Sequence, residues 1–394
     1  MLELQINNRI KSIPLTLNET NELCDIDWIR SKERSTVLKP IKTISVIDLY
    51  SGCGGMSLGV REALQKNNLK FDIKLAVDTN LSALEVYRRN FQKQEDIVRN
   101  LDINQFVSTN IGEKPNEIEL RTQSLFEGTQ ILVAGPPCQG HSNLNNHTRR
   151  NDPRNNLYLN AVRFVELIRP KIAIIENVST VIHDKDTVVQ KAEKALKRAG
   201  YTIYSQILNA SKYGIAQTRK RHFQVAVLKE NIHWDLNDYE EETTELSKYL
   251  EDILTEHERN KGIFYSPSIT QKVNQRRIDI LFEQNLYDLP DEHRPDCHKF
   301  KNHSYKSCYG RLYWNRPAQT ITSGFGSMGQ GRYIHPLQRR VITPHEAARI
   351  QGFPDFFKFD FVQKRGDLHT MIANAVPPKL IAIILDSLIK KNAL

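Results

Sequence analysis

Residues 43–59 read TISVIDLYSGCGGMSLG: a β-branched run that breaks into glycines and then resumes as a helix-forming stretch. A run of Thr, Ile and Val suits a pleated, buried strand. Glycines after it permit a tight turn with positive φ and close approach of the backbone to a ligand. Strand, glycine turn and helix form the opening unit of a doubly wound α/β sheet, in which ligands bind beyond the carboxyl ends of the strands. The helix is predicted from Leu58 to about Lys66, and Gly52, Gly54 and Gly55 as the turn. A purely structural turn would use the same glycines. Asp78 ends the next strand, IKLAVD, near the place where a carboxylate receives the ribose hydroxyls of a nucleoside cofactor. The spacing Gly-Cys-Gly-Gly puts the third glycine too early for the dinucleotide fingerprint, which disfavours a nicotinamide enzyme.

Strand and helix signals alternate outward from this unit. NLSALEVYRRNF (80–91) has apolar residues at helical spacing, with Asn80 or Thr79 as its cap. Asp102, in RNLDI, is predicted to close a third strand. TQILVAG (129–135) and KIAIIENV (171–178) are continuous apolar runs of the kind covered on both faces. Leu157, Ala161, Val165 and Ile168 share a helical face between them, and YTIYSQIL with RHFQVAVL suggests a closing antiparallel pair. The fold class is therefore α/β, a mostly parallel sheet with helices on both sides.

Near residue 229 the alternation stops. An acidic stretch (235–258), expected as a solvated helix face, precedes a basic one, and glycines gather in SGFGSMGQGRY (323–333). The final PPKLIAIILDSLIKK is an amphipathic helix opened by proline, apolar enough to dock back on the first domain. The expected division is an N-terminal extension (1–42), a sheet domain (43–228), a smaller irregular domain (229–345) and a return segment (346–394).

The 394 residues are 39% hydrophobic and 26% charged, a globular composition. No stretch approaches the roughly 18 consecutive apolar residues of a membrane helix, and the N-terminus lacks a signal-peptide core. Five cysteines without framework spacing indicate reduced thiols and a cytoplasmic setting. The net charge of +9 favours a polyanionic partner.

Three segments offer chemistry. GPPCQGHS (135–142) holds Cys138 behind two prolines at a strand end, equally compatible with a packing thiol and a presented nucleophile. Glu176 ends an apolar run and would be expensive there if unpaired. QTRKRHF (217–223) places Arg219 and Arg221 on one face by strand alternation. Cys297, His298, His303 and Cys308 lack the spacing of a zinc knuckle and are read as a polar loop, so no metal site is assigned.

These motifs, in order, resemble those of DNA (cytosine-5)-methyltransferases of the bacterial type II or solitary kind: DLYSGCGGMSLG, AVDTN, LDI, GPPCQGHS, ENV, QTRKR, RVITPHEAARIQGFP and ANAVPP. The resemblance implies a Rossmann-like, S-adenosylmethionine-dependent sheet domain with a smaller target-recognition domain. It implies Cys138 as the nucleophile on C6 of cytosine, Glu176 on N3 and the exocyclic amine, Arg221 on O2, and Arg219 setting charge and loop position. It implies S-adenosylmethionine held by Tyr50, Gly52, Gly54, Asp78, Asp102, Pro136, Leu157 and Asn374. Double-stranded DNA, with the target base flipped out, would meet Ser142, Arg149, Arg150 and Arg154 of the loop after the nucleophile, and Thr320 in PAQTITSGFG. A monomer is expected, with any cognate restriction endonuclease acting separately. The chain departs from the family's usual Gly-Asn before the final Val-Pro, having Ala373-Asn374. Three rival readings are weaker. A transfer-RNA methyltransferase would carry a different sequence after the thiol. A vestigial DNA-binding module would not keep Cys138, Glu176, Arg219 and Arg221 together. A dehydrogenase is disfavoured by the glycine spacing.

Overall fold

The computed structural model describes residues 25–34, 39–137, 156–183, 187–228, 232–253, 262–299 and 307–394. Its strands are β1 (Lys42–Leu49), β2 (Leu69–Asp78), β3 (Val98–Asn100), β4 (Ile131–Ala134), β5 (Ile172–Val178), β6 (Thr202–Asn209), β7 (Gln217–Thr218), β8 (Lys220–Val227) and β9 (Ala318–Gln319). Its helices are α1 (Asp25–Arg30), α2 (Gly55–Lys66), α3 (Leu81–Phe91), α4 (Glu117–Phe126), α5 (Asn156–Ile168), α6 (Val188–Arg198), α7 (Leu246–Leu250), α8 (Lys272–Glu283), α9 (Asp296–Lys299), α10 (Pro344–Ile350), α11 (Arg365–Asn374) and α12 (Pro378–Lys390).

Period-two alternation builds two cores from one sheet. Ile131 and Val133 of β4 pack on one side with α2, α3 and α12, while Leu132 and Ala134 pack on the other with α5 and α6. Ile172 and Ile174 of β5 likewise oppose Ala173 and Ile175. The sheet order is β3-β2-β1-β4-β5-β8-β6. Strands β1 to β5 run parallel, and β8 is antiparallel to both β5 and β6. The order reverses between β1 and β4, so the crevice of a Rossmann-like sheet opens where β1 and β4 end.

Several sequence expectations shift. Helix α2 begins at Gly55, three residues before the predicted Leu58, because Gly54 caps it in the left-handed region at φ 98° and glycines mask a helix start. Strand β3 stops at Asn100, and Asp102 instead caps a short turn, its carboxylate accepting the Asn104 N–H at 2.8 Å. The packing does not change at 229: Trp234, Leu236, Leu246, Tyr249 and Leu250 join the same core as α2 and α12. The Trp234 indole donates to Ser387 of α12 at 2.7 Å. The acidic run is thus not simply a solvated helix, since its apolar residues face inward in α7. A separate small nucleus forms around Ile278, Leu281, Leu289, Tyr309, Met328 and Ile334. The span Arg365–Lys390 is apolar enough to cross a membrane, but it is mostly buried, with Leu380, Ile381, Ile384 and Leu385 of α12 in the core shared with α2.

Candidate active site

The end of β1 builds one half of the site. Tyr50 takes φ 56° and its hydroxyl donates to the Leu157 carbonyl in the first turn of α5, at 2.8 Å. Gly52, at φ 52°, donates its N–H to Asp78 Oδ2 at 2.9 Å, and the other carboxylate oxygen accepts from Asn80 N–H at 2.8 Å. Burial raises the Asp78 carboxyl above its usual range despite those N–H groups. The two turn glycines differ. A side chain on Gly52 would meet no described residue within 4 Å, whereas a Cβ on Gly54 would sit 2.6 Å from the Phe91 ring. Among the described residues Gly52 therefore has open space beside it, and Gly54 is closely packed. Behind the turn, Asp48 is fully buried and accepts from Ser57 Oγ at 2.6 Å. Burial pushes its carboxyl up to about 7, with the Asp78 charge adding to the effect.

The residues fit the methyl donor that the resemblance implies. The turn offers a carboxylate at Asp78, an aromatic ring at Tyr50 and the open face of Gly52. Among the described residues Ser51 Oγ, buried at the same turn, has no hydrogen-bond partner, and such a group needs a polar ligand or water. Asp102 and Asn374 are both exposed, the latter as the last residue of α11, and Pro136 is buried.

The end of β5 builds the other half. Glu176 Oε1 lies 2.9 Å from Arg221 Nε on the neighbouring β8. Burial raises the Glu176 carboxyl above its usual range, outweighing the charges of Arg221 and Arg219. The two halves meet at Gly135: a Cβ there would lie 3.8 Å from Glu176 Oε2 and 3.9 Å from the Tyr50 carbonyl. Asn177 ties them together by donating to the Pro136 carbonyl at 3.3 Å.

Arg219 does something other than strand alternation suggested. It sits in the break between β7 and β8, 1% exposed. Its guanidinium donates to the carbonyls of Ile321, Ala373 and Ala375 at 3.1, 2.8 and 3.2 Å. Gln217, fully buried, extends the lock. Its amide donates to Gln351 Oε1 at 2.9 Å and accepts from Ile321 N–H at 3.0 Å, while Gln351 donates to Ala375. These contacts join QTRKR, IQGFP, ANAVPP and the TITSGF segment. Asn177, Gln217 and Gln351 were missed as site-building residues, since an isolated amide in a sequence carries no periodicity. Thr320 donates its hydroxyl proton to the Thr218 carbonyl at 2.9 Å, which withholds that proton from a phosphate while the bond holds.

Cys138, Ser142, Arg149, Arg150 and Arg154 lie outside the described residues, as does His303. Of the other cysteines set aside, Cys297 is exposed and Cys308 buried, and no cluster of metal-ligating groups occurs among the described residues.

Comparison with known proteins places this geometry. The family model for C-5 cytosine-specific DNA methylases matches residues 44–390. The type II methyltransferase M1.BsuMI of Bacillus subtilis is 44% identical over 91% of this chain and 84% of its own length. The type II methyltransferase M.DdeI of Desulfomicrobium norvegicum is 27% identical over 86% of both chains. A crystal structure of a prophage-encoded DNA modification methyltransferase from E. coli superposes with a TM-score of 0.60 at 25% identity, covering 88% of this chain and 99% of that one. The Dnmt2 methyltransferase of S. pombe has a TM-score of 0.62 at 19% identity, covering 89% of this chain and all of the other, and shares the fold.

Proposed function

The chain belongs to the C-5 cytosine-specific DNA methylase family, and we propose that Cys138, Glu176 and Arg221 act on a cytosine flipped out of duplex DNA while the β1–α2 turn holds the methyl donor. The observation that carries this reading is the Glu176–Arg221 pair, 2.9 Å apart, with Glu176 Oε2 beside Gly135, three residues before Cys138. A target base inside the duplex cannot reach such a crevice and must leave its stack.

C5 of cytosine is a weak nucleophile until C6 is saturated. The Cys138 thiolate adds to C6, and the ring electrons move to C5. Glu176, whose burial favours the protonated carboxyl, holds N3 and shares its proton there as the adduct forms. Arg221 donates to O2, where negative charge would otherwise accumulate. Arg219 acts at one remove, keeping the ANAVPP turn and Ile321 in register with the base site. When bound, S-adenosylmethionine supplies an electrophilic methyl group. Tyr50, Gly52, Asp78, Asp102, Pro136, Leu157 and Asn374 would hold it, with Gly54 supporting the turn from behind. Transfer of the C5 proton to solvent, expulsion of the Cys138 thiolate and return of the N3 proton to Glu176 restore the aromatic ring.

Arg149, Arg150, Arg154 and Ser142 are assigned to DNA closure, because a basic loop after the nucleophile can neutralise phosphates as it covers the base. Thr320 is assigned to the same backbone, on release of its bond to Thr218. Within residues 229–345, target recognition is assigned to the part beyond Leu250, which carries the separate nucleus around Ile278 and Met328. The type II methyltransferase relatives support a role in DNA modification; a separately acting endonuclease, a cytoplasmic setting and one monomer per flipped base belong to the same proposal. Expression in a methylation-free bacterial host followed by bisulfite sequencing tests the reading. It predicts protected cytosines in one sequence context; modified adenines alone, or no modified base with folded protein, would refute it.

A further inference from the structure

The glycine-rich segment after Thr320 is a rigid platform with one polar side chain laid across it. Phe325 and Met328 are buried pegs, at 0% and 2% exposure. Backbone bonds from Phe325 N–H to Thr322, Ser327 N–H to Gly324 and Gln330 N–H to Ser327, at 3.0, 2.9 and 3.1 Å, close the loop on itself. Tyr309 N–H donates to the Met328 carbonyl at 2.7 Å from the facing strand of chain. The platform is anchored at both sides. Arg219 holds the Ile321 carbonyl, and the Phe325 ring packs 4.3 Å from His369 of α11, the helix that ends at Asn374.

Gln330 is exposed on this platform, and its side chain lies over Gly324. A Cβ on Gly324 would come within 2.6 Å of Gln330 Cβ and 2.8 Å of its Cγ, so the absence of a side chain at 324 is what lets Gln330 lie there. Among the described residues, none hydrogen-bonds its side-chain amide. A long amide held in place on a loop that Arg219, two residues before Arg221, anchors at Ile321 is suited to the paired donor and acceptor of one base edge. In the major groove, that pair is N6 and N7 of adenine.

We propose that Gln330 is a specificity-determining residue that reads an adenine of the target sequence in the major groove, with Gly324 positioning it. The proposal rests on the DNA-methylating function above. Arg219 gives it a defined relation to the chemistry, since one guanidinium anchors both the start of the reading loop and the ANAVPP turn.

The test compares the wild-type protein and Gln330→Ala in a methylation-free host, with the sequence context of every methylated cytosine read by bisulfite sequencing. Wild type should require adenine at one position, and Gln330→Ala should relax that position alone, by about 5- to 100-fold. An unchanged context in an active variant overturns the proposal but leaves the enzyme assignment standing. No 5-methylcytosine from wild type would instead sink that assignment. If Gln330→Ala is inactive, wild-type rates on duplexes carrying 7-deazaadenine at each adenine of the site decide. A drop of at least about five-fold at one adenine is required by the proposal, and no sensitive adenine refutes it.

Discussion

Arg221 Nε stands 2.9 Å from Glu176 Oε1, across the antiparallel register that sets Val178 opposite Arg221. The pair holds a carboxyl that burial would rather keep protonated, beside the guanidinium assigned to the cytosine O2. Glu176→Gln should lower kcat by about 10²- to 10⁴-fold in a tritiated-methyl transfer assay.

The same substitution has an opposite consequence for stability. The Glu176 carboxyl is raised in the folded protein, so the native state binds its proton more tightly than the unfolded chain does. Its contribution to stability is therefore largest at low pH and declines as pH rises from about 4.5 through the folded value. At neutral pH a neutral isostere removes a disfavoured charge. Thermal unfolding at pH 8 should give Glu176→Gln a Tm equal to or above wild type; a clear fall would contradict this.

Glu346 behaves in the reverse sense. Burial acts against its charge, but His335 and Arg340 outweigh that and hold the carboxyl at about 2. Arg340 donates to both its oxygens, at 2.8 and 2.5 Å, and Thr343 N–H adds a third bond at 2.8 Å in the capping box of α10. The lowered value makes this stabilisation complete above the unfolded pKa and lost as pH falls towards 2. Glu346→Gln should destabilise by about 3 kcal/mol at pH 7, with a smaller difference from wild type at pH 3, measured by urea unfolding.

The two turn glycines should separate in their effects. Gly54→Ala sets a Cβ 2.6 Å from Phe91 at a left-handed φ of 98° and should lower stability by about 2–4 kcal/mol. Gly52→Ala should carry only the left-handed strain, about 1 kcal/mol, because its side chain would meet no described residue within 4 Å. Its larger effect should be weaker S-adenosylmethionine binding in calorimetry. The reverse ranking, with Gly52→Ala less stable than Gly54→Ala, would contradict the roles assigned to them.

What the sequence made legible depended on repetition and on rare residue types. The doubly covered strands β4 and β5 announce themselves as unbroken Ile, Leu, Val and Ala, and the Asn80 cap with the proline-opened α12 follows local backbone rules. Glu176 was visible because a carboxyl at the end of an apolar run needs a reason. The lock through Gln217, Gln351 and Arg219 was not visible: its partners are mostly backbone groups up to 156 residues away, which no local pattern encodes. The inward-facing Trp234, Tyr249 and Leu250 were hidden because acidic neighbours dominate the composition around them.

In the proposed mechanism a sulfur bonds transiently to the cytosine ring. Wild-type protein mixed with duplex DNA carrying 5-fluorocytosine at its target, together with S-adenosylmethionine, is predicted to give a denaturant-resistant protein–DNA adduct. Peptide mapping should place it at Cys138, and Cys138→Ser should form none. Methylation of ordinary target DNA without any trapped species, or an adduct through another residue, would contradict the account.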